Sequence, residues 1–134
     1  MSETLLTTYA SAVGALGYVA ALMMVQLLVA DVLGIRHKHT PGSTVPADHA
    51  NILFRATRAV GNMNESIGIF ICALLFCVLG SASPGLTANA AWGYAIARTL
   101  YLVCYYANLQ IPRSICFGLS LLALAVMLYA GFFT

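Results

Sequence analysis

An all-helical integral membrane bundle is the fold this sequence predicts, and three observations predict it. The 134-residue chain is 61% hydrophobic and 7% charged, with a mean hydropathy of +0.90. A soluble domain carries about 25% charged residues. Four apolar stretches each approach the roughly 20 residues that a helix needs to cross a bilayer. Polar residues inside those stretches recur three and four positions apart, the period of a helix face. The net charge of +2 gives no case for nucleic-acid binding. The length suits one compact domain, so residues 1–134 are read as a single four-helix membrane unit.

The first span is expected over about residues 7–35. The opening M-S-E-T-L-L-T-T has no basic n-region, and no small-residue cleavage site follows the first apolar run. That run is therefore expected to be a retained span rather than a removed signal peptide. Residues 36–49 form a polar connection, R-H-K-H followed by the turn formers Pro41, Gly42 and Pro46. A second helix is expected over about 50–79, with its polar residues in the first turns and an apolar remainder. Residues 81–87 make a short uncharged turn. A third span is expected over about 88–111, where Pro112 breaks it before a fourth over about 113–133. Arg36, Lys38, Arg55, Arg58 and Arg113 cluster at the first and third connections. The positive-inside rule puts those connections in the cytoplasm and both termini outside.

The second helix opens with R-A-T-R-A-V-G-N-M-N-E, in which Arg55, Arg58, Asn62 and Glu65 stand three, four and three residues apart. At roughly 100° per residue they occupy about one quadrant of a helix. A charge facing lipid costs about 2.5–3.5 kcal/mol on insertion scales, so the stripe should face a bundle interior and marks a functional site. The third span carries Tyr94, Arg98, Tyr101, Tyr105 and Asn108, the last four with the same three-four-three spacing. The two faces can line one cavity near the cytoplasmic side. Arg98 is the deepest cation and needs an anionic partner, for which Glu65 is the candidate. Such a pair could serve only to fix how the helices assemble. The surplus of two arginines, an amide and two or three phenols suits a ligand with carboxylates, amides and an ammonium group. The arginine fork matches a carboxylate, an asparagine amide matches a peptide group, and Glu65 matches an ammonium.

The remaining polar residues read more plainly. Asp31 makes a local pair with Arg36 or a solvated helix end, and Gln26 an interhelical contact. Tyr9, Tyr18, Trp92 and Tyr129 read as interfacial belt residues. Cys72, Cys77, Cys104 and Cys116 lie in apolar segments with no C-x-x-C pair and no histidine at ligand spacing. They read as small buried hydrophobes, and His37, His39 and His49 as loop residues, so no metal site is expected.

The string R-x-x-R-A-x-x-N-x-x-E from Arg55 to Glu65 resembles the signature of the MAPEG family, the membrane-associated proteins of eicosanoid and glutathione metabolism. The R-x-x-Y-x-x-x-Y of Arg98, Tyr101 and Tyr105 resembles its leukotriene C4 synthase branch and microsomal glutathione transferase-like members. Length, four spans and the Pro-Arg-Ser start of the last helix fit as well. The resemblance implies a homotrimer with glutathione, as co-substrate, held between neighbouring subunits near the cytoplasmic face. It implies a lipophilic second substrate arriving from the bilayer. On the same resemblance Arg58, Asn62, Glu65 and Tyr105 match glutathione-contacting positions and Tyr101 lines their site. Arg36 resembles the arginine ending the first helix, and Arg55 and Arg98 complete the binding set. Arg113 resembles the arginine that stabilises the thiolate, with Ser114 an alternative and Tyr105 beside them. The activity implied is a glutathione transferase or peroxidase. The alternative is a non-catalytic protein of this fold binding a lipid or another anionic metabolite. Val60 and Gly61 stand where prostaglandin E synthase-like members carry a polar and a basic residue, and Tyr101 replaces a histidine of that branch. These departures argue against prostaglandin isomerase chemistry.

Overall fold

The structure is a computed structural model describing residues 3–134, so the first two residues of the N-terminal segment lie outside it. Helix makes up 82% of it and no strand occurs among the described residues. The elements are α1 (Glu3–Thr8), α2 (Ala10–Arg36), α3 (Ile52–Leu79), α4 (Pro84–Tyr106) and α5 (Gln110–Phe133). The first span therefore arrives as two helices. Thr7 and Thr8 turn their hydroxyls back to the carbonyls of Glu3 and Thr4 (2.9 and 2.6 Å), a bond that bends helices. The backbone bonds Tyr9 N to Leu5 O and Val13 N to Tyr9 O persist through the joint, which makes it a kink. Tyr9 is 3% exposed, with its hydroxyl donating to the Ala82 carbonyl of the α3–α4 turn. It is a core residue rather than a member of an interfacial belt.

Three helices end by one device. After α2, α3 and α4 the chain passes through a left-handed residue, Lys38 (φ 53°), Ser81 (φ 57°) and Asn108 (φ 59°). The next N–H reaches back to the carbonyl five residues earlier: His39 to Gly34, Ala82 to Cys77, Leu109 to Cys104. This is the Schellman closure, which satisfies carbonyls that a helix end leaves open. It corrects the expected boundary of the third span. Asn108, not Pro112, stops α4, because asparagine tolerates the left-handed conformation. Pro112 then sits in the first turn of α5, where its missing N–H is no loss. The starts are capped as well. Asn51 Oδ1 accepts from Leu53 N–H (3.0 Å). Ser83 Oγ accepts from Leu86 N–H ahead of Pro84, so α4 begins four residues before the expected 88.

The helix pair α4–α5 packs most extensively, α3 lies on both, and α2 lies on α3 and α4. The main core joins Val19, Phe70, Leu74, Tyr94 and Met127 with small residues such as Ala12, Ala15, Ala91 and Ala95. Small residues let helix backbones approach where lipid gives no hydrophobic drive to associate. At Gly93 an added Cβ would stand 3.7 Å from the Ala123 Cβ, so α4 and α5 touch almost backbone to backbone there. A second, smaller cluster of Ala59, Tyr101, Leu102, Tyr105 and Cys116 lies toward the other end of α4. By length and composition α2, α3 and α5 can cross a membrane. α4 falls outside that set because its polar residues lower its hydropathy, yet Tyr94, Arg98, Tyr101 and Tyr105 are all turned inward. Chain order places the end of α2, the start of α3, the end of α4 and the start of α5 at one end of the bundle.

Candidate functional site

That shared end contains a cavity of about 310 Å³, at the lower edge of the range for small-molecule pockets. Arg58 and Asn62 reach it from α3, and Tyr101 and Tyr105 from α4. Arg113, Ser114 and Phe117 reach it from the first turns of α5, and His49 from the loop before α3. The three helices bring these groups together because the polar side chains of each recur at helical spacing. Six of the ten residues singled out from the sequence thus line the cavity, or seven with Glu65, which bonds two of its walls.

Arg58 Nη1 donates to Glu65 Oε1 at 3.1 Å, and Asn62 Nδ2 to Glu65 Oε2 at 3.4 Å. The bridge spans two turns of α3 and passes over Gly61. A Cβ at Gly61 would lie 3.2 Å from Arg58 Nη1, so the glycine is what leaves the guanidinium its path. The pair is surface-facing, with side chains 42% and 58% exposed, and is the one ion pair among the described residues. The Arg113 guanidinium carbon lies 4.6 Å from the centre of the Tyr105 ring, a cation–π contact. His49 stacks against Tyr105 (6.2 Å, 20°), and Tyr101 meets Tyr105 edge-on at 5.5 Å. Ser114 Oγ donates to the Gln110 carbonyl (3.1 Å). The N-terminal end of α5, with its positive partial charge, adds to the field of Arg113.

Other expected residues lie elsewhere. Arg55 Nη1 donates to His49 O (2.6 Å) and Nη2 to Tyr106 O (3.2 Å), clamping the loop before α3 to the end of α4. It holds the cavity wall in place without lining it. Arg36 stands exposed at the end of α2, outside this cavity. Asp31 makes no ion pair with it among the described residues. Asn108 serves as the left-handed stop of α4. Tyr94 bonds Ser66 Oγ (2.7 Å) and stacks on Phe70 (4.4 Å), which makes it part of the α3–α4 contact. The expected Arg98–Glu65 pair is not formed, because Arg58 and Asn62 already hold the Glu65 carboxylate. Arg98 is fully buried, its guanidinium 4.3 Å over the Tyr101 ring and none of its nitrogens hydrogen-bonded. Tyr18 bonds Thr99 Oγ1 (2.7 Å) and Trp92 bonds Ser11 (3.1 Å), so both fasten α2 to α4. Gln26 is buried against the α2–α3 contact with its amide nitrogen unpaired.

Sequence reasoning missed His49 and Phe117. Phe117 stands four residues after Arg113, one turn along the same face, and that spacing could have found it. His49 sits in an irregular connection, where no periodicity assigns a direction.

The chain is thus an apolar, helical membrane protein with basic and phenolic groups gathered on one cavity. The model of the MAPEG family matches residues 6–133, and the chain belongs to that family. No curated protein matches it.

Proposed function

We propose that this protein is a glutathione-dependent transferase or peroxidase embedded in the bilayer by four crossings of α2–α5. The observation that carries the reading is the convergence of Arg58, Asn62, Tyr101, Tyr105 and Arg113 on one cavity in a member of this family. The donor set fits glutathione. Arg58 offers a fork to a carboxylate, Asn62 an amide to a peptide group, and Glu65 a carboxylate to the ammonium. Arg113 and the start of α5 would face the thiol. A free thiol titrates near about 8.5, and nearby positive charge favours the thiolate. In the transferase reaction the thiolate sulfur attacks an electrophilic carbon of a lipophilic substrate and a thioether forms. In the peroxidase reaction it attacks a lipid hydroperoxide and the O–O bond breaks.

The basic connections at the cavity end favour a cytoplasmic site with both termini outside. Arg58 and Glu65, charged yet surface-facing on α3, favour a neighbouring copy over them, in keeping with a homotrimer. Arg36, exposed at the same end, would then serve the site of a neighbour. The alternative, a non-catalytic protein binding a lipid or anionic metabolite, draws support from Glu65 already occupying Arg58. Turnover of glutathione with a panel of lipophilic electrophiles and lipid hydroperoxides, on folded protein of defined oligomeric state, separates the two. Absence of any thiol-dependent turnover would exclude the enzyme.

A further inference from the structure

A second cavity opens at the same end of the bundle and has no part in the site just described. It measures about 510 Å³ and lies between the last turns of α2, the loop that follows and the first turns of α3. Its walls include the apolar residues Ala30, Gly34 and Leu53, and its polar groups are Asp31, His39, Ser43 and Thr57. Gly34 keeps it open, for a Cβ added there would meet nothing within 4 Å. Asp31 is the one charged residue of α2 ahead of Arg36. Its carboxylate has no ion pair or hydrogen bond among the described residues. A charge in a membrane span is rare and ordinarily paired. Arg36 does not supply the pair, because a five-residue offset on one helix turns two side chains about 140° apart.

The side-chain donors of this cavity are already spent. A backbone carbonyl can only accept, so His39 Nε2 carries the hydrogen toward Ser43 O (3.0 Å), which leaves Nδ1 of the neutral ring as an acceptor. The Ser43 hydroxyl donates to Thr40 O (2.7 Å). That of Thr57 is committed to the carbonyls of Leu53 and Phe54 (3.1 and 3.0 Å). What the side chains still offer is a carboxylate and lone pairs, the reverse of the basic cavity. A ligand that answers them carries a positive charge and several N–H donors.

Position selects the rest of the ligand. At 1.5 Å per residue Asp31 lies about 7.5 Å along α2 on the membrane side of Arg36, which belongs to the basic connection at the bilayer surface. An aminophospholipid fits poorly, because its phosphate stands between its ammonium and its chains and would come to lie deeper than the Asp31 carboxylate. A single-chain amine carries its ammonium directly at the head of the chain. We propose that this cavity binds a long-chain primary amine, with the ammonium on Asp31 and the alkyl chain along Ala30, Gly34 and Leu53. The proposal stands whether or not glutathione is the ligand of the basic cavity.

The test is photolabelling of the full-length protein in phosphatidylcholine nanodiscs, which contain no primary amine. The probe is sphinganine with a diazirine near the amine end of its chain, and the labelled sites are mapped by mass spectrometry. Labels are expected on residues 30–35 and 53–57. Tetradecylamine should compete for them. Tetradecanol lacks the charge and tetradecyltrimethylammonium lacks the N–H, so each should compete about tenfold less. Asp31→Asn should lower labelling about tenfold on the same ground, and Asp31→Glu should retain most of it. Gly34→Leu fills the cavity, leaves every polar group in place and should abolish labelling. Labelling that Asp31→Asn or Gly34→Leu leaves unchanged would overturn the proposal. So would equal competition by the alcohol or the quaternary amine, or labels confined to α4 and α5.

Discussion

Replacing Arg58 by alanine separates ligand binding from folding more cleanly than any other change in this protein. Its one partner is Glu65, at 3.1 Å in a pair whose side chains are 42% and 58% exposed. Exposed ion pairs contribute about 0.2–1 kcal/mol, and alanine is at least as good a helix former as arginine. The stability of the unliganded protein should therefore change by no more than about 0.5 kcal/mol, within the usual range for surface changes. Binding should respond differently. A charged partner lost from a desolvated carboxylate contact costs about 2–5 kcal/mol, which at 1.4 kcal/mol per tenfold is roughly 30- to 4,000-fold in Kd. The lower end is expected, because an incoming carboxylate must first displace Glu65. Titration calorimetry with glutathione measures the affinity, and denaturant unfolding in detergent measures the stability. A Kd within threefold of wild type would show that Arg58 does not hold the ligand carboxylate. A stability loss above about 2 kcal/mol would show that the pair is a folding element, and the reasoning from its exposure would fail.

Gly61→Ala should raise stability by about 0.5–1 kcal/mol through helix propensity. The new Cβ, 3.2 Å from Arg58 Nη1, should also dislodge the bridge to Glu65, seen as a changed glutathione affinity without loss of fold. Asn108→Ala places a Cβ-bearing residue without a polar side chain at φ 59° and should lower the unfolding free energy by about 1 kcal/mol, whereas Asn108→Gly should stay near wild type. For Arg113→Leu the sign follows from charge. A cation favours the thiolate, so its removal should move the pH–rate profile of thiol turnover up toward about 8.5; an unmoved profile would assign the thiolate to another group. Tyr94→Phe removes the hydroxyl that bonds Ser66 (2.7 Å) and should cost about 0.6–1 kcal/mol in unfolding, with the cavity and its ligand affinity unchanged.

Much of the site was legible in the sequence because a helix turns linear spacing into direction. Arg58, Asn62 and Glu65 recur at three and four residues, and they do share one face of α3 and one set of hydrogen bonds. Tyr101 and Tyr105 follow the same rule on α4. Arg55 obeys the spacing too, yet its acceptors are the carbonyls of His49 and Tyr106, which only the closed bundle brings within reach. One helix end was misjudged for a similar reason. Asn108 carries a left-handed turn that glycine would have announced, and Pro112 drew attention from it, whereas the ends of α2 and α3 fall where the sequence put them.

By itself the sequence determined the apolar helices, their short connections, the basic end and the polar quadrant of α3, since these depend on composition and on a fixed angle per residue. Tertiary structure alone decided which of those polar groups share a space. It gave Glu65 to Arg58 over Gly61, left Arg98 buried against Tyr101 and set His49 on Tyr105. The physical reason is that periodicity fixes the direction of a side chain from its own axis, whereas its partner depends on how far the helices rotate and slide against one another, and packed small residues such as Gly93 and Ala123 set that distance.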